Sequence, residues 1–94
     1  MRITVRYYGL VTYVTDRHYQ ELEVPEGSTL GQIIDLVVVR YGEKIRKMIF
    51  LLNQITVTIN RLDINDISIF PKGLDTRLTN GDIVSILGPT SGAA

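Results

Sequence analysis

Polar and apolar residues alternate from the start of the chain. Ile3, Val5 and Tyr7 take turns with Arg2, Thr4 and Arg6, a period of two that predicts a strand with one buried and one open face. A second strand is expected over residues 19–24. Residues 9–18 between them are too few and too mixed for a helix, so the two strands read as an antiparallel hairpin with a broad loop. Pro25-Glu26-Gly27-Ser28 ends the second strand, and the period then changes. Leu30, Ile33, Ile34, Val37, Val38 and Tyr41 follow the i, i+3, i+4 stripe of an amphipathic helix. Thr29 is its expected N-cap, with Gln32 placed to complete a capping box, and Gly42 its C′ residue.

Ile45, Met48, Ile49 and Leu52 repeat the stripe over residues 43–53, predicting a shorter second helix with Lys44, Arg46 and Lys47 in water. Thr56-Val57-Thr58-Ile59 alternates again and ends near Asn60-Arg61. Asp63 to Asn65 has turn composition. Ile67 and Ile69 suit a short edge strand, which Pro71, Lys72 and Gly73 would interrupt. Leu78 is expected to anchor this connection to the core. Asn80-Gly81-Asp82 then turns the chain into a last strand over residues 83–87. On that strand Val84 and Ile86 face the helix if Ile83, Ser85 and Leu87 face outward, and a one-residue slip would reverse both sets. The sum is an α+β domain: a sheet with helices on one face.

Ninety-four residues suffice for one core and not two. Ten basic and ten acidic side chains cancel, which argues against nucleic acid or a membrane surface as a general partner, since both select excess positive charge. There is no cysteine, so neither a disulfide framework nor a thiolate site exists and packing must hold the domain. No apolar window approaches the length of a membrane span, and a cytoplasmic protein is expected.

Three stretches, taken together, resemble a known family. They are Val24-Pro25-Glu26-Gly27-Ser28-Thr29-Leu30-Gly31-Gln32-Ile33-Ile34 at the helix entry, Val57-Thr58-Ile59-Asn60 at the third strand, and Leu74-Asp75-Thr76-Arg77-Leu78-Thr79-Asn80-Gly81-Asp82 before the last strand. Their order and spacing are similar to those of the β-grasp, ubiquitin-like sulfur carriers, a family that includes the molybdopterin synthase small subunit and the thiamine-pathway carrier. The resemblance implies a β-grasp fold of four to five strands in a mixed sheet, spanning residues 1–88, with a flexible tail over 89–94. It implies no bound cofactor and no catalytic side chain. An E1-like adenylating enzyme would use ATP to join the tail's carboxylate to AMP, sulfur would replace oxygen to give a thiocarboxylate, and the molybdopterin synthase large subunit would receive the sulfur. A carboxylate is a poor electrophile because it is anionic, so activation must come from a partner.

The carrier tail is then Gly88, Pro89, Gly92, Ala93 and Ala94. Family tails end in two glycines, which pass through a narrow channel because they lack Cβ. Here Ala93 takes the place of the terminal glycine and Ala94 follows it. Proteolytic trimming, a tolerant partner, or a domain that does not charge its tail would each account for this. By the register above, Arg6, Tyr8, Thr58 and Leu87 share the outer sheet face with Thr4, and the resemblance makes that face the partner-binding surface; an arginine beside an aromatic suits an interface. Two other functions compete with the sulfur carrier: a non-charging interaction subunit that uses the sheet face alone, and a ubiquitin-like modifier of proteins.

Other residues carry less. His18 is the only histidine and has no second soft ligand to complete a metal shell. Asp63, Asp66, Asp75 and Asp82 stand in turns, where aspartate bonds its own backbone. The glycines at 27 and 31 lack the lysine and spacing of a phosphate loop and fit a helix cap better.

Overall fold

The computed structural model describes residues 1–50, 55–60 and 73–89. Along the chain come β1 (Arg2–Tyr8), α1 (Val11–Thr15), β2 (Tyr19–Glu23), α2 (Leu30–Tyr41), α3 (Glu43–Phe50), β3 (Thr56–Ile59) and β4 (Ile83–Leu87). The strands form one sheet in the order β2-β1-β4-β3. β1 and β4 are parallel at its centre, and β2 and β3 lie antiparallel on the flanks.

The alternation on each strand fixes which rows meet the helices. Val5 pairs with Gln20 on one side and Val84 on the other, Val84 with Ile59, Tyr7 with Ile86, and Ile86 with Val57. Ile3, Val5, Val57, Val84 and Ile86 are fully buried. Against them α2 turns Leu30, Ile33, Ile34 and Val37, with Val38 and Tyr41 packed at the margin. α3 adds Ile45, Met48 and Ile49, and Leu78 seals the return of the chain to the sheet. The expected register of β4 is the observed one, since Val84 and Ile86 face the helix.

Local chemistry explains the ends of α2. The Gln32 backbone N–H donates to Thr29 Oγ1 at 3.3 Å, and the Thr29 N–H donates to Gln32 Oε1 at 2.8 Å. This is the predicted capping box, a cap that contributes on the order of 1 kcal/mol. At the other end the Gly42 N–H donates to Val38 O, with φ of 90°. The observed α3 stops at Phe50; Leu52, the proposed turn at 63–65 and the edge strand of Ile67 and Ile69 lie outside the described residues.

The loop expected over residues 9–18 contains a helix instead. α1 is five residues long, below what local propensity sustains alone, and tertiary contacts make it. Val11 is buried in the core, with Leu10 and Val14 packed against it. Thr12 Oγ1 donates to Gly9 O, and Thr15 Oγ1 to both Val11 O and Arg17 O. Threonines that look unfavourable for a helix thus bond its backbone.

A polar clamp holds the sheet's far end. Asn60 stands at φ 60°, a left-handed conformation that asparagine tolerates better than most residues. Its N–H donates to Ile83 O, its Oδ1 accepts from the Ile83 N–H, and its Nδ2 donates to Asp82 Oδ1. Asp82 also accepts from the Thr79 N–H at 2.8 Å and from Thr79 Oγ1 at 3.1 Å. Partial burial opposes ionisation of Asp82, but the hydrogen bonds from Thr79 and Asn60 outweigh it and hold the carboxyl below its ordinary value of 3.8. Ionisation therefore favours the folded state. That contribution is complete above the unfolded carboxyl's pKa and is lost as pH falls through the lower, folded one. Urea unfolding across an acid series should show a shallower loss of stability below pH ~4 for Asp82→Asn than for the parent; equal slopes would remove Asp82 from the acid limb.

Candidate functional site

The carrier tail expected from the sequence, hereafter the arm, begins where β4, one of the two central strands, ends. Beyond Leu87 the ladder continues for one more bond, the Gly88 N–H donating to Tyr8 O at 3.0 Å. Pro89 donates nothing, but its carbonyl accepts from the Leu10 N–H at 2.8 Å. The described chain is thus held to the β1–α1 turn through Pro89. Gly92, Ala93 and Ala94 lie outside the described residues.

Next to this root is the outer face of the sheet. Tyr8 pairs with Leu87 and Leu87 with Thr56; Arg6 pairs with Ser85 and Ser85 with Thr58. The residues singled out from sequence therefore share one face, and their exposures differ. Arg6 is exposed and Tyr8 and Leu87 are half-buried, whereas Thr58 is only 4% exposed. Ser85, expected to face outward, is wholly buried, and its Oγ has no hydrogen-bond partner among the described residues. Ser85 sits on the central strand β4, between Arg6 of β1 and Thr58 of β3.

Charge on this face is uneven. Arg2 is paired with Glu21 at 3.5 Å and Glu23 at 3.0 Å. Arg6 forms no ion pair among the described residues, and faces Tyr19 across β2. Tyr19 is 61% exposed. A depression of about 380 Å³ runs along Thr4, Arg6, Tyr8, His18, Tyr19 and Glu21. The face beside the end of β4 thus offers a guanidinium with no ion pair among the described residues, set beside Tyr8 and Tyr19, a combination favoured at protein interfaces.

Beneath this face Tyr7 is buried, and its ring meets Tyr41 edge-on at 5.8 Å. Tyr41 Oη donates to Gln20 Oε1 at 2.6 Å, while the Tyr7 contact to the same oxygen is long, 3.5 Å. Burial pushes the Tyr7 phenol far above its ordinary pKa, with Tyr41 adding to the effect. It remains a neutral core hydroxyl and not an acid–base group.

The remaining candidates take structural roles. The Leu30 N–H donates to Thr76 O and the Gly31 N–H to Leu74 O, and Thr29 takes the Gln32 N–H, so the start of α2 has no free donors for a phosphate. A Cβ on Gly31 would stand 3.0 Å from Leu74 O, which is why glycine is there. The His18 carbonyl accepts from the Tyr7 N–H, and no set of three metal-ligating side chains occurs among the described residues. Asp75 is exposed; Asp63 and Asp66 lie outside the described residues. No described helix is long and apolar enough to cross a membrane. The pattern along the chain gave no reason to single out Gly9, Leu10 or Val11, which hold the root of the arm; the one available signal was a glycine set between a strand and a short apolar run.

A helix laid across a mixed sheet whose last strand lies at the centre, parallel to the first, defines a β-grasp domain of the ubiquitin-like kind. The chain belongs to the ThiS family, which it matches over residues 5–92. No curated protein matches it in sequence. A Pyrococcus furiosus chain described as molybdopterin converting factor subunit 1 superposes with a TM-score of 0.73 at 19% identity, covering 96% of this chain and 99% of that one. Small archaeal modifier protein 1 of Methanosarcina acetivorans gives 0.71 at 20% identity, with 97% and 95% covered. A chain in the BexX/CysO complex of Amycolatopsis orientalis gives 0.63 at 25% identity, with 96% and 98% covered. The fold is therefore that of the β-grasp sulfur carriers and ubiquitin-like modifiers.

The orphaned hydroxyl of Ser85 carries a stability prediction. Removing a buried, unsatisfied polar group relieves a desolvation cost, so Ser85→Ala should stabilise the domain by about 1 kcal/mol, a rise in Tm of roughly 5 °C. A drop in Tm by calorimetry would mean that the hydroxyl is bonded after all.

Proposed function

We propose that this protein is a sulfur carrier of the molybdopterin synthase small-subunit type. What supports the reading is that the family match runs through the whole domain and into the arm, as far as residue 92. The arm's carboxylate attacks the α-phosphorus of ATP in the site of an E1-like adenylating enzyme, releasing pyrophosphate. A sulfur nucleophile at the level of hydrosulfide then adds to the acyl-adenylate and expels AMP, leaving a thiocarboxylate. The large subunit of a molybdopterin synthase is the acceptor of this sulfur. Catalysis belongs to the partners; the carrier supplies a folded handle, the face around Arg6, Tyr8 and Leu87, and the arm.

Intact-mass measurement on protein from its native host tests the reading. The expected result is a chain heavier by the difference between sulfur and oxygen, with or without loss of alanine from Gly92-Ala93-Ala94. Only unmodified chain, under conditions that charge a diglycine carrier, would rule it out.

The modifier relative in Methanosarcina acetivorans favours a second reading, in which the activated arm is passed to lysines of other proteins. Digests of host protein would then contain arm peptides in isopeptide linkage to lysine, and their absence alongside a thiocarboxylate decides for the carrier. An interaction subunit that never charges would keep its partner and its activity after removal of every residue beyond Gly88. Loss of activity with partner binding retained is the outcome expected of a carrier.

A further inference from the structure

The proposed chemistry happens at the end of the arm, so the direction in which the arm leaves the domain matters as much as the arm. Two glycines meet at its root. Gly9 stands at φ +68°, where L side chains are strained, and a Cβ there would lie 2.5 Å from Gly88 O and 2.6 Å from Pro89 O. Both obstacles are backbone and cannot swing aside. Gly88 faces the same restriction from the opposite side, since its Cβ would lie 2.7 Å from Val11 Cγ2 and 3.2 Å from Val11 N. Val11 is fully buried in the core and is β-branched, with little freedom to give way. The backbones of the β1–α1 turn and of the strand end are therefore in direct contact, and the Leu10 N–H closes on Pro89 O at 2.8 Å.

We propose that Gly9 is a positioning residue for the arm. By lacking a Cβ it lets the Gly88 and Pro89 carbonyls seat on the turn, so that the arm departs from Pro89 and not from the end of β4. Releasing Gly88 and Pro89 would add up to about 7 Å of free chain ahead of the reacting carboxylate, and its approach to a partner's reactive site would no longer be aimed. The turn also ties the arm to the core through Val11, so the aim is set by the same packing that folds the domain. This inference rests on the sulfur-carrier reading for its use of the arm; the seating itself does not.

The test compares Gly9→Ala with Gly42→Ala in the full chain. Gly42 has φ +90° with nothing within 4 Å of its Cβ position, so a side chain there meets positive-φ strain without a clash and leaves the Pro89 contact untouched. Leu10→Pro is the companion variant: Leu10 has φ −63°, which proline adopts, and the ring removes the N–H that holds Pro89. Amide hydrogen exchange reads the seating. Gly9→Ala should speed exchange of the Leu10 amide by about tenfold or more while the Val84 and Ile86 amides of β4 stay protected, and Gly42→Ala should leave all three protected. ATP–pyrophosphate exchange with the host's adenylating enzyme reads the aim. For Gly9→Ala and Leu10→Pro, kcat should fall by about tenfold or more with KM for the carrier changed less than about twofold, because docking uses the sheet face and only carboxylate placement is lost.

An unchanged Leu10 amide in Gly9→Ala overturns the proposal, as does an equal fall in kcat for Gly42→Ala. Absence of pyrophosphate exchange with the unsubstituted protein would instead sink the sulfur-carrier reading, while the amide data would still show whether Gly9 seats the arm.

Discussion

The pairing of β1 with β4 is the contact on which the rest of the molecule depends. It joins Thr4–Tyr8 to Ile83–Leu87, segments separated by nearly the whole chain, and their closure carries an entropic cost that local hydrogen bonds do not offset alone. The offset comes from burial: Val5 beside Val84 and Tyr7 beside Ile86, all under α2 and all almost fully withdrawn from water. β2 and β3 then add to the two free edges of this pair. The same pairing places the root of the arm beside Tyr8 and the turn that follows it. Core, outer face and arm thus share one register.

Much of this was legible because its causes are local. The period of two in β1 and β3, the stripe of α2 and the Thr29–Gln32 box are written in neighbouring residues, and each appears where the pattern put it. α1 was not legible, because its stability lies in Val11 reaching the core and in threonine hydroxyls bonding the backbone. Neither can be seen before the chain is closed. The buried state of Ser85 and Thr58 is hidden for a related reason: alternation tells which face a residue takes, while its exposure depends on what the folded chain packs around it. Resemblance is what singled out the C-terminal tail and the outer face in the sequence. The contact between Gly9 and Gly88 joins residues far apart in sequence, and no spacing rule announces it.

The polar connections divide by position. Asn60, Thr79 and Asp82 tie the beginning of β4 to the end of β3 and to the turn before it, with each side-chain nitrogen and oxygen of the three bonded at least once. The start of α2 is consumed in the same way by Thr29, Leu74 and Thr76. On the outer face Arg6 has no such internal partner among the described residues. Among the described residues, then, the far end of the sheet uses its polar side chains internally, while Arg6 on the outer face is exposed without an ion pair.

The arm continues the central strand and not an edge strand. Tension applied to it acts along β4, which is bonded to β1 on one side and β3 on the other, so both ladders are loaded in shear and their bonds must fail together. A strand at the sheet's border could peel one bond at a time. A domain pulled by this end therefore resists by its unfolding rate more than by its equilibrium stability. The geometry that presents the arm also makes it a sound handle by which to pull.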